Sequence, residues 1–283
     1  MATRQHPSGS VLTAEDAASG LNFLSAAAFA AYHLRRSEGW GVDPDQATRH
    51  MVSSQALMFN LFAPLAANPP WFAQTLRLAL GRSDIQSVRR TSYEVAPARR
   101  SQYLGDMTRI DVLLELSTND GSEIVAVELK LADRFNSRVV DVRERAAYRQ
   151  LADVSGAWLD AAAALSGTKT NQLLRMHALA LAMRNRDHGA GTKVTCLVLH
   201  HERDLAAVSM VGTYKSLVME QENIVACGLA VFVDAMVSAA PGRSNKEDAL
   251  ALRARYTDES GSESLWEAYR RSGNRGIRRT GQG

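Results

Sequence analysis

The chain has 283 residues, of which 46% are hydrophobic and 22% charged, an ordinary composition for a soluble protein with a sizeable core. Its formal net charge of +3 is too small to argue by itself for a nucleic-acid partner, and two cysteines are too few for a disulfide framework. The chain shows neither a signal-peptide pattern nor an apolar run long enough to span a bilayer. We therefore expect a cytoplasmic protein that does not enter the membrane.

The first part of the chain predicts an arm followed by helices. Residues 1–18 are small and polar, and we expect a flexible N-terminal arm there. Residues 21–36 are rich in Ala and Leu and predict a helix. An N-cap pattern that begins at Asp43 predicts one long helix to about residue 66, and a shorter helix follows over residues 71–81.

Two polar residues interrupt the apolar face of that long helix. Gln55 and Asn60 lie among Leu and Phe residues that recur at helical spacing. A polar group on a core-facing helix is unfavourable unless it is paired. Gln55 and Asn60 therefore either have buried polar partners or lie on the solvated side of the helix.

Three consecutive strands are predicted after these helices. Residues 86–96 alternate in polarity and end at Pro97. Within residues 108–131, two apolar runs are joined by Asn119-Asp120-Gly121, whose residues tolerate the positive φ that a tight hairpin needs. The hairpin would bring Asp111 level with the Leu129 region.

The rest of the chain alternates helix and strand. Asn171 begins a helix, residues 192–201 predict a buried strand, and the composition of residues 213–240 favours helix. Residues 271–283 form an arginine-rich segment that we expect to be a disordered basic tail. The order of elements indicates a mixed α/β domain over residues 19–270.

Arginines flank both ends of the hairpin. Arg99 and Arg100 precede it, and Arg134 and Arg138 follow it. These four cations could hold the phosphates of a nucleic acid. The alternative is that they protect a solvated strand edge.

Three charged residues of the hairpin can converge at one end of it. Side chains alternate along a strand, so Glu128 and Lys130 share one face, and Asp111 would be a neighbour across the hairpin. Two adjacent carboxylates repel each other and are tolerated where Mg²⁺ neutralises them, here with help from the Leu129 carbonyl. Lys130 could then orient an attacking water. The alternative is a simple salt bridge between Lys130 and one of the acids.

This arrangement resembles the PD-(D/E)XK nuclease superfamily. The matching residues are Ile110-Asp111 and Glu128-Leu129-Lys130, without the leading proline. The resemblance implies a restriction-endonuclease-like αβββαβ core, with a mixed central sheet flanked by helices and extra helices at both ends. The predicted order of elements matches that core.

A closer likeness extends over most of the chain. Residues 53–65, 93–100 and 172–180 and the Tyr214 region are similar to a group of bacterial restriction-endonuclease-like proteins, although Ala98 stands where the group has Gly. That likeness implies accessory residues near the metal: Gln55, Glu94, Gln172 and Arg175. Glu94 could be a third carboxylate for metal or a strand-edge acid. Gln172 and Arg175 could contact a phosphate or Lys130, or form a helix surface pair.

The resemblance implies a nuclease that uses Mg²⁺ or Mn²⁺ and acts on DNA, with RNA and a homodimeric state left open. The catalytic residues would be Asp111, Glu128 and Lys130, and His177 is more consistent with packing than with acid catalysis. One alternative is a member of the same fold that binds nucleic acid or protein without catalysis, because a fold does not determine an activity. Another is a structural protein whose hairpin charges form a salt bridge.

Overall fold

The computed structural model describes residues 10–131, 139–189, 191–258 and 260. The helices are α1 Ala14–Ala18, α2 Ala26–Ser37, α3 Pro44–Arg49, α4 Ser54–Ala66, α5 Pro69–Leu80, α6 Ala146–Ser155, α7 Ala161–Ser166, α8 Asn171–Met183, α9 Leu205–Lys215, α10 Leu229–Ala239 and α11 Arg243–Leu252. The strands are β1 Ile85–Val95, β2 Ile110–Thr118, β3 Gly121–Lys130, β4 Lys193–His200 and β5 Ile224–Gly228. Among these helices none is long and apolar enough to cross a membrane.

The strands form one five-stranded sheet in the order β1-β2-β3-β4-β5. Strands β1, β2 and β3 are antiparallel neighbours, whereas β4 and β5 continue the sheet in parallel with β3. The predicted hairpin is confirmed, because Thr118 pairs with Gly121, whose φ of 128° closes the turn. Strand β4 needs a crossover from β3, and α6, α7 and α8 supply it.

Helices cover both faces of the sheet, as the mixed α/β pattern predicted. Alternate residues of β2 and β3, including Val112 and Val127, face a core built with α2, α4, α5, α10 and α11. Ile124, Ala126 and Val198 face a second core on the other side, built with α6 to α9. The side chains of Glu128 and Lys130 are in phase with Ile124 and Ala126, so they lie on the α8 side of β3.

The long helix expected over residues 43–66 is wrong, because the chain breaks it into α3 and α4. His50 has an extended backbone and forms a β-bridge with Val11. Ser53 then starts α4 by accepting a hydrogen bond from the Gln55 N–H. The Ser53 cap and the bridge between His50 and Val11 therefore outweigh the helical pattern of residues 43–66.

Residues 10–18 differ from the loose arm expected there. Val11 and Leu12 are buried, and the Thr13 side chain caps α1. The pairing with His50 holds this segment against the start of α4. Two isolated apolar residues were too short a signal to predict that packing.

Asn22 and Asn60 form a buried polar network next to this segment. Asn60 accepts from the Leu24 N–H and donates to the Asn22 carbonyl and the Tyr256 hydroxyl. Of the two alternatives for Asn60, the buried pairing is therefore the one found. The network also delays the start of α2 to Ala26, because Asn22 turns toward α3 and donates to the Ala47 carbonyl.

The expectation of helix throughout residues 213–240 is wrong for Ile224–Gly228, which form β5. This short segment pairs in parallel with β4, from Cys196 opposite Ile224 to His200 opposite Gly228. The exposed backbone groups at the β4 edge gain hydrogen bonds from that pairing, which outweighs the helical preference of its alanine. The predicted basic tail at residues 271–283 lies outside the described residues.

Candidate active site

Asp111 and Glu128 are neighbours across the β2-β3 hairpin. The last backbone pair at this end is Val112 opposite Val127, so Asp111 comes next to Glu128. The Leu129 N–H donates a hydrogen bond of 2.8 Å to Asp111 Oδ2. The Asp111 side chain therefore takes the place of a backbone acceptor and is held against the first residue beyond Glu128.

Glu128 is held by two donors from different elements. Its Oε1 lies 2.8 Å from the Lys130 ammonium and accepts a hydrogen bond of 2.5 Å from the Gln172 side chain on α8. Glu128 and Lys130 are only 5% and 6% exposed. The shared face predicted for Glu128 and Lys130 is confirmed, and a carboxylate and an ammonium are held together at a largely buried strand end.

Glu94 brings a third carboxylate to the site from β1. Its Oε1 accepts a hydrogen bond of 2.6 Å from the Gln55 side chain, and its Oε2 lies 3.3 Å from Arg109 Nε. Its φ of 46° is in the left-handed region, which is strained for a residue other than glycine. Two donors of Arg35 hold the backbone there, at the carbonyls of Tyr93 and Glu94.

The surroundings disfavour the ionised forms of Asp111 and Glu94. Burial raises the pKa of Asp111 well above its usual range, and the charges of Glu128 and Glu94 raise it further. Burial also raises the pKa of Glu94, although Arg109 and Gln55 oppose the shift. A positive charge beside Asp111 would therefore stabilise its ionised form, and a bound divalent cation would supply that charge.

The donor set fits a small, hard cation that keeps part of its water shell. No group of three or more His, Cys, Asp or Glu side chains is arranged as a metal cage within the ranges described. Asp111 and Glu128 are two carboxylates, and the Leu129 carbonyl is a third oxygen near them. The Lys130 carbonyl accepts from the His201 N–H on the β4 side, so by alternation the Leu129 carbonyl faces β2 and Asp111. Mg²⁺ is commonly bound in this way, by one or two carboxylates plus substrate oxygens and water.

The comparisons with known proteins agree with this geometry. A model of the PD-(D/E)XK nuclease superfamily matches residues 1–258. The chain belongs to this superfamily. No curated protein and no solved structure gives a significant match. The superfamily match and the mixed five-stranded sheet confirm the predicted family and its restriction-endonuclease-like fold. Proteins of this superfamily are generally nucleases and typically use divalent metal ions.

The accessory residues suggested by the closer likeness divide into two sets. Gln55 contacts Glu94 and Gln172 contacts Glu128, so each reaches a carboxylate of the candidate site. Arg175 is directed elsewhere, because its Nε lies 3.1 Å from Asp106 Oδ2 in the loop before β2. Gln172 and Arg175 are therefore not merely a helix surface pair, although they contact different acids.

Asp106 anchors that loop and contrasts with Asp111. It accepts hydrogen bonds from the Tyr148 hydroxyl and the Thr108 N–H in addition to its ion pair with Arg175. Burial opposes its ionisation, but these partners outweigh burial and hold its pKa below the usual range. Neither Asp106 nor Arg109 was singled out from the sequence, since each is one charged residue in an irregular loop.

Of the four predicted phosphate-binding arginines, the structure describes Arg99 and Arg100, and the two have different surroundings. Arg99 is exposed, and Arg100 packs its guanidinium 4.1 Å from the centre of the Trp40 ring. Arg134 and Arg138 lie outside the described residues.

His177 lies away from the PD-(D/E)XK site. It is buried, its Nδ1 is 2.9 Å from the Tyr214 hydroxyl, and that hydroxyl accepts from the Trp158 indole N–H. Burial lowers the pKa of His177 to about 4, so the ring is neutral near neutral pH. The interpretation of His177 as a packing residue is therefore supported.

Proposed function

We propose that this protein is a Mg²⁺-dependent or Mn²⁺-dependent phosphodiesterase that cleaves DNA by attack of water. The observation that carries the proposal is the cluster at the ends of β2 and β3. There Asp111 and Glu128 lie side by side, and the Lys130 ammonium is 2.8 Å from Glu128. Membership of the PD-(D/E)XK superfamily supports the proposal, because proteins of this superfamily are generally nucleases.

Asp111, Glu128 and the Leu129 carbonyl would hold the cation. A divalent ion bound there lowers the pKa of water and neutralises charge on the phosphate. The hydrogen bond from the Leu129 N–H orients the Asp111 carboxylate before a metal binds, so metal binding costs less side-chain entropy. Gln172 fixes the Glu128 carboxylate in the same manner.

Lys130 contributes a positive charge at the reacting phosphate. Its ammonium has three donors, of which one is directed to Glu128 Oε1. The ammonium can orient the attacking water or stabilise the charge that develops on the phosphate oxygens. Because Lys130 is 6% exposed, little bulk water weakens that interaction.

The test is cleavage of plasmid and single-stranded DNA with Mg²⁺ or Mn²⁺, with an RNA oligonucleotide in parallel. We expect Asp111→Ala and Lys130→Ala to lower the cleavage rate by about 100-fold or more, because each removes a group that acts on the transition state. Arg243→Ala is the matched control, since that side chain is 93% exposed on α11, away from the sheet end. Cleavage that survives both site variants would refute the proposal.

The salt bridge between Lys130 and Glu128 also suits a structural role without catalysis. Calorimetric titration with Mg²⁺ and Mn²⁺ separates the two functions. A catalytic site binds the ion in the wild type and loses binding in Asp111→Asn. A structural salt bridge predicts no metal binding in either protein, and a member of the fold that only binds nucleic acid predicts DNA binding without cleavage.

A further inference from the structure

Trp40 presents an indole ring to solvent beside a cleft that is also lined by Glu94. It lies in the turn between α2 and α3 and is 58% exposed, which is unusual for so large an apolar side chain. The guanidinium of Arg100 lies 4.1 Å from the ring centre and that of Arg109 lies 5.6 Å from it. An exposed aromatic ring with cations beside it is the combination that binds nucleobases and phosphates together.

The Trp40 turn is fixed to the same residues that hold Glu94. Arg35 donates a hydrogen bond of 3.1 Å to the Trp40 carbonyl and one of 3.0 Å to the Glu94 carbonyl. The Gly41 carbonyl accepts from Gln55 and from Arg109, both of which also contact the Glu94 carboxylate. The indole is therefore positioned relative to Glu94 by side chains and does not rest on a freely moving loop.

Gly41 is needed for that arrangement. Its φ of 136° is in the region that favours glycine, and a Cβ there would collide with the Arg35 guanidinium. A side chain at this position would have to adopt a strained φ and displace the Arg35 guanidinium that holds the turn.

A cleft of about 530 Å³ connects the indole with Glu94. Trp40, Arg35, Arg90, Tyr93 and Glu94 are among its lining residues. The volume is within the usual range for sites that bind small molecules or single residues of a polymer. Arg90, with a side chain 70% exposed, adds a cation that can contact a backbone phosphate at the rim.

Arg100 is placed to contact an anion beside the ring. Its Nη1 contacts Met107 Sδ, and its guanidinium forms no ion pair with an acid among the residues that the structure describes. A guanidinium that no carboxylate neutralises can form a charge-assisted hydrogen bond with an anion that binds next to the ring. A phosphate oxygen of a nucleotide stacked on Trp40 is such an anion.

We propose that Trp40 and Arg100 bind an unpaired nucleotide of the substrate beside Glu94. Trp40 stacks on the base, and Arg100 contacts the adjoining phosphate. Bases of an intact duplex are stacked on one another and expose only their edges, so a ring at a cleft wall can be covered only by a base that has left the stack. The inference rests on the proposed function and narrows its substrate to single-stranded DNA or DNA with unpaired nucleotides.

Binding in EDTA tests the proposal without requiring cleavage. Fluorescence anisotropy compares a labelled oligothymidylate with a blunt duplex of the same length, at one low salt concentration. We expect Trp40→Ala to weaken single-strand binding by about tenfold or more, since one stacked base typically accounts for that factor, and to leave duplex binding nearly unchanged. Trp40→Phe should retain part of the affinity because it keeps an aromatic face.

Two matched controls and one spectroscopic signal accompany the titration. Leu205→Ala removes an apolar side chain that is 75% exposed on α9, and it is the control for Trp40→Ala. Arg100→Ala should also weaken single-strand binding, because it removes the proposed phosphate contact, and Arg243→Ala is its control. In a Trp266→Phe background, which removes the one tryptophan outside the described residues, the oligothymidylate should quench tryptophan fluorescence. Adding Trp40→Phe should remove most of that quenching, because Trp71 and Trp158 are buried. Thermal unfolding of each variant shows that it is folded.

The outcomes distinguish this inference from the proposed function. Single-strand binding that is unchanged in Trp40→Ala, or lost equally for duplex and single strand, would overturn the inference. Selective loss of single-strand binding supports it, even if the wild type cleaves no DNA. In that last case the proposed nuclease activity fails while the nucleotide site stands.

Discussion

Replacing Asp111 by Asn should stabilise the metal-free protein although it removes a proposed catalytic residue. Asp111 and Glu128 are cross-strand neighbours, and such side chains lie about 5 Å apart. At that separation two unit charges repel by about 3 kcal/mol at an effective dielectric constant near 20. Solvent at the partly exposed strand end reduces this, and the asparagine oxygen can still accept from the Leu129 N–H. We expect a gain of about 1 to 2 kcal/mol in the free energy of unfolding.

The gain depends on pH in a direction set by the pKa shift. Burial and the neighbouring acids raise the pKa of Asp111 in the folded state above its unfolded value near 3.8. The ionised form is therefore less stable in the fold, and the wild type loses stability as the pH rises from about 4 through the raised pKa. The advantage of the asparagine variant should be absent below pH 4 and should level off above the folded pKa.

The assay is urea and thermal unfolding in EDTA and again with Mg²⁺. For a domain of this size, 1 kcal/mol corresponds to about 2 to 4 °C in Tm. Mg²⁺ at ten times its Kd should stabilise the wild type by about 1.4 kcal/mol and Asp111→Asn by almost nothing.

Asp106→Asn is the matched control, because it makes the same change at a nearby acid whose pKa is lowered. Its ionised form is the stable one in the fold, so this substitution should destabilise the protein by about 1 to 3 kcal/mol above pH 4. That loss should fade as the pH falls through the lowered pKa. The reasoning is refuted if Asp111→Asn destabilises the metal-free protein as much as Asp106→Asn does, or if Mg²⁺ stabilises Asp111→Asn as well as the wild type.

Two further predictions concern other contacts. Gln172→Leu should weaken Mg²⁺ binding by about 10-fold to 100-fold in calorimetry, because Glu128 loses the donor that orients it. An unchanged affinity would show that Lys130 alone is sufficient to orient the Glu128 carboxylate. Arg82→Ala should lower the free energy of unfolding by about 3 to 5 kcal/mol in urea titrations. Arg82 forms a bidentate ion pair with Glu123, and its loss leaves a buried carboxylate that is 0% exposed. A loss under 1 kcal/mol would indicate that Thr195, which also bonds Glu123, compensates.

The central hairpin could be predicted because several local signals agreed. Asn119-Asp120-Gly121 determined the turn, and alternation from it determined which residues share a face with Glu128. That register brings Asp111, Glu128 and Lys130 together, and the resemblance to the PD-(D/E)XK superfamily supplied their proposed catalytic roles. Periodicity also predicted the helices before β1, the crossover helices and strand β4, but it missed the break between α3 and α4 and strand β5.

Long-range contacts account for what the sequence did not reveal. Strand β5 is five residues long, and its structure depends on the β4 edge that it joins. The break between α3 and α4 depends on Val11, about forty positions earlier in the chain. Glu94 has a left-handed backbone that Arg35 stabilises, and the sequence pattern of β1 does not predict this conformation. Trp40 is an isolated aromatic residue whose partners are Arg35 on α2 and two arginines of the loop between β1 and β2.

The hydrogen bond from the Leu129 N–H to Asp111 gives the site a natural spectroscopic reporter. This amide belongs to a strand but is bonded to a titrating side chain, so its chemical shift and exchange rate follow the charge on that carboxylate. A cation that binds Asp111 withdraws electron density from the acceptor and weakens the bond. A single backbone resonance would thus report occupancy of the site, without a substrate and without turnover.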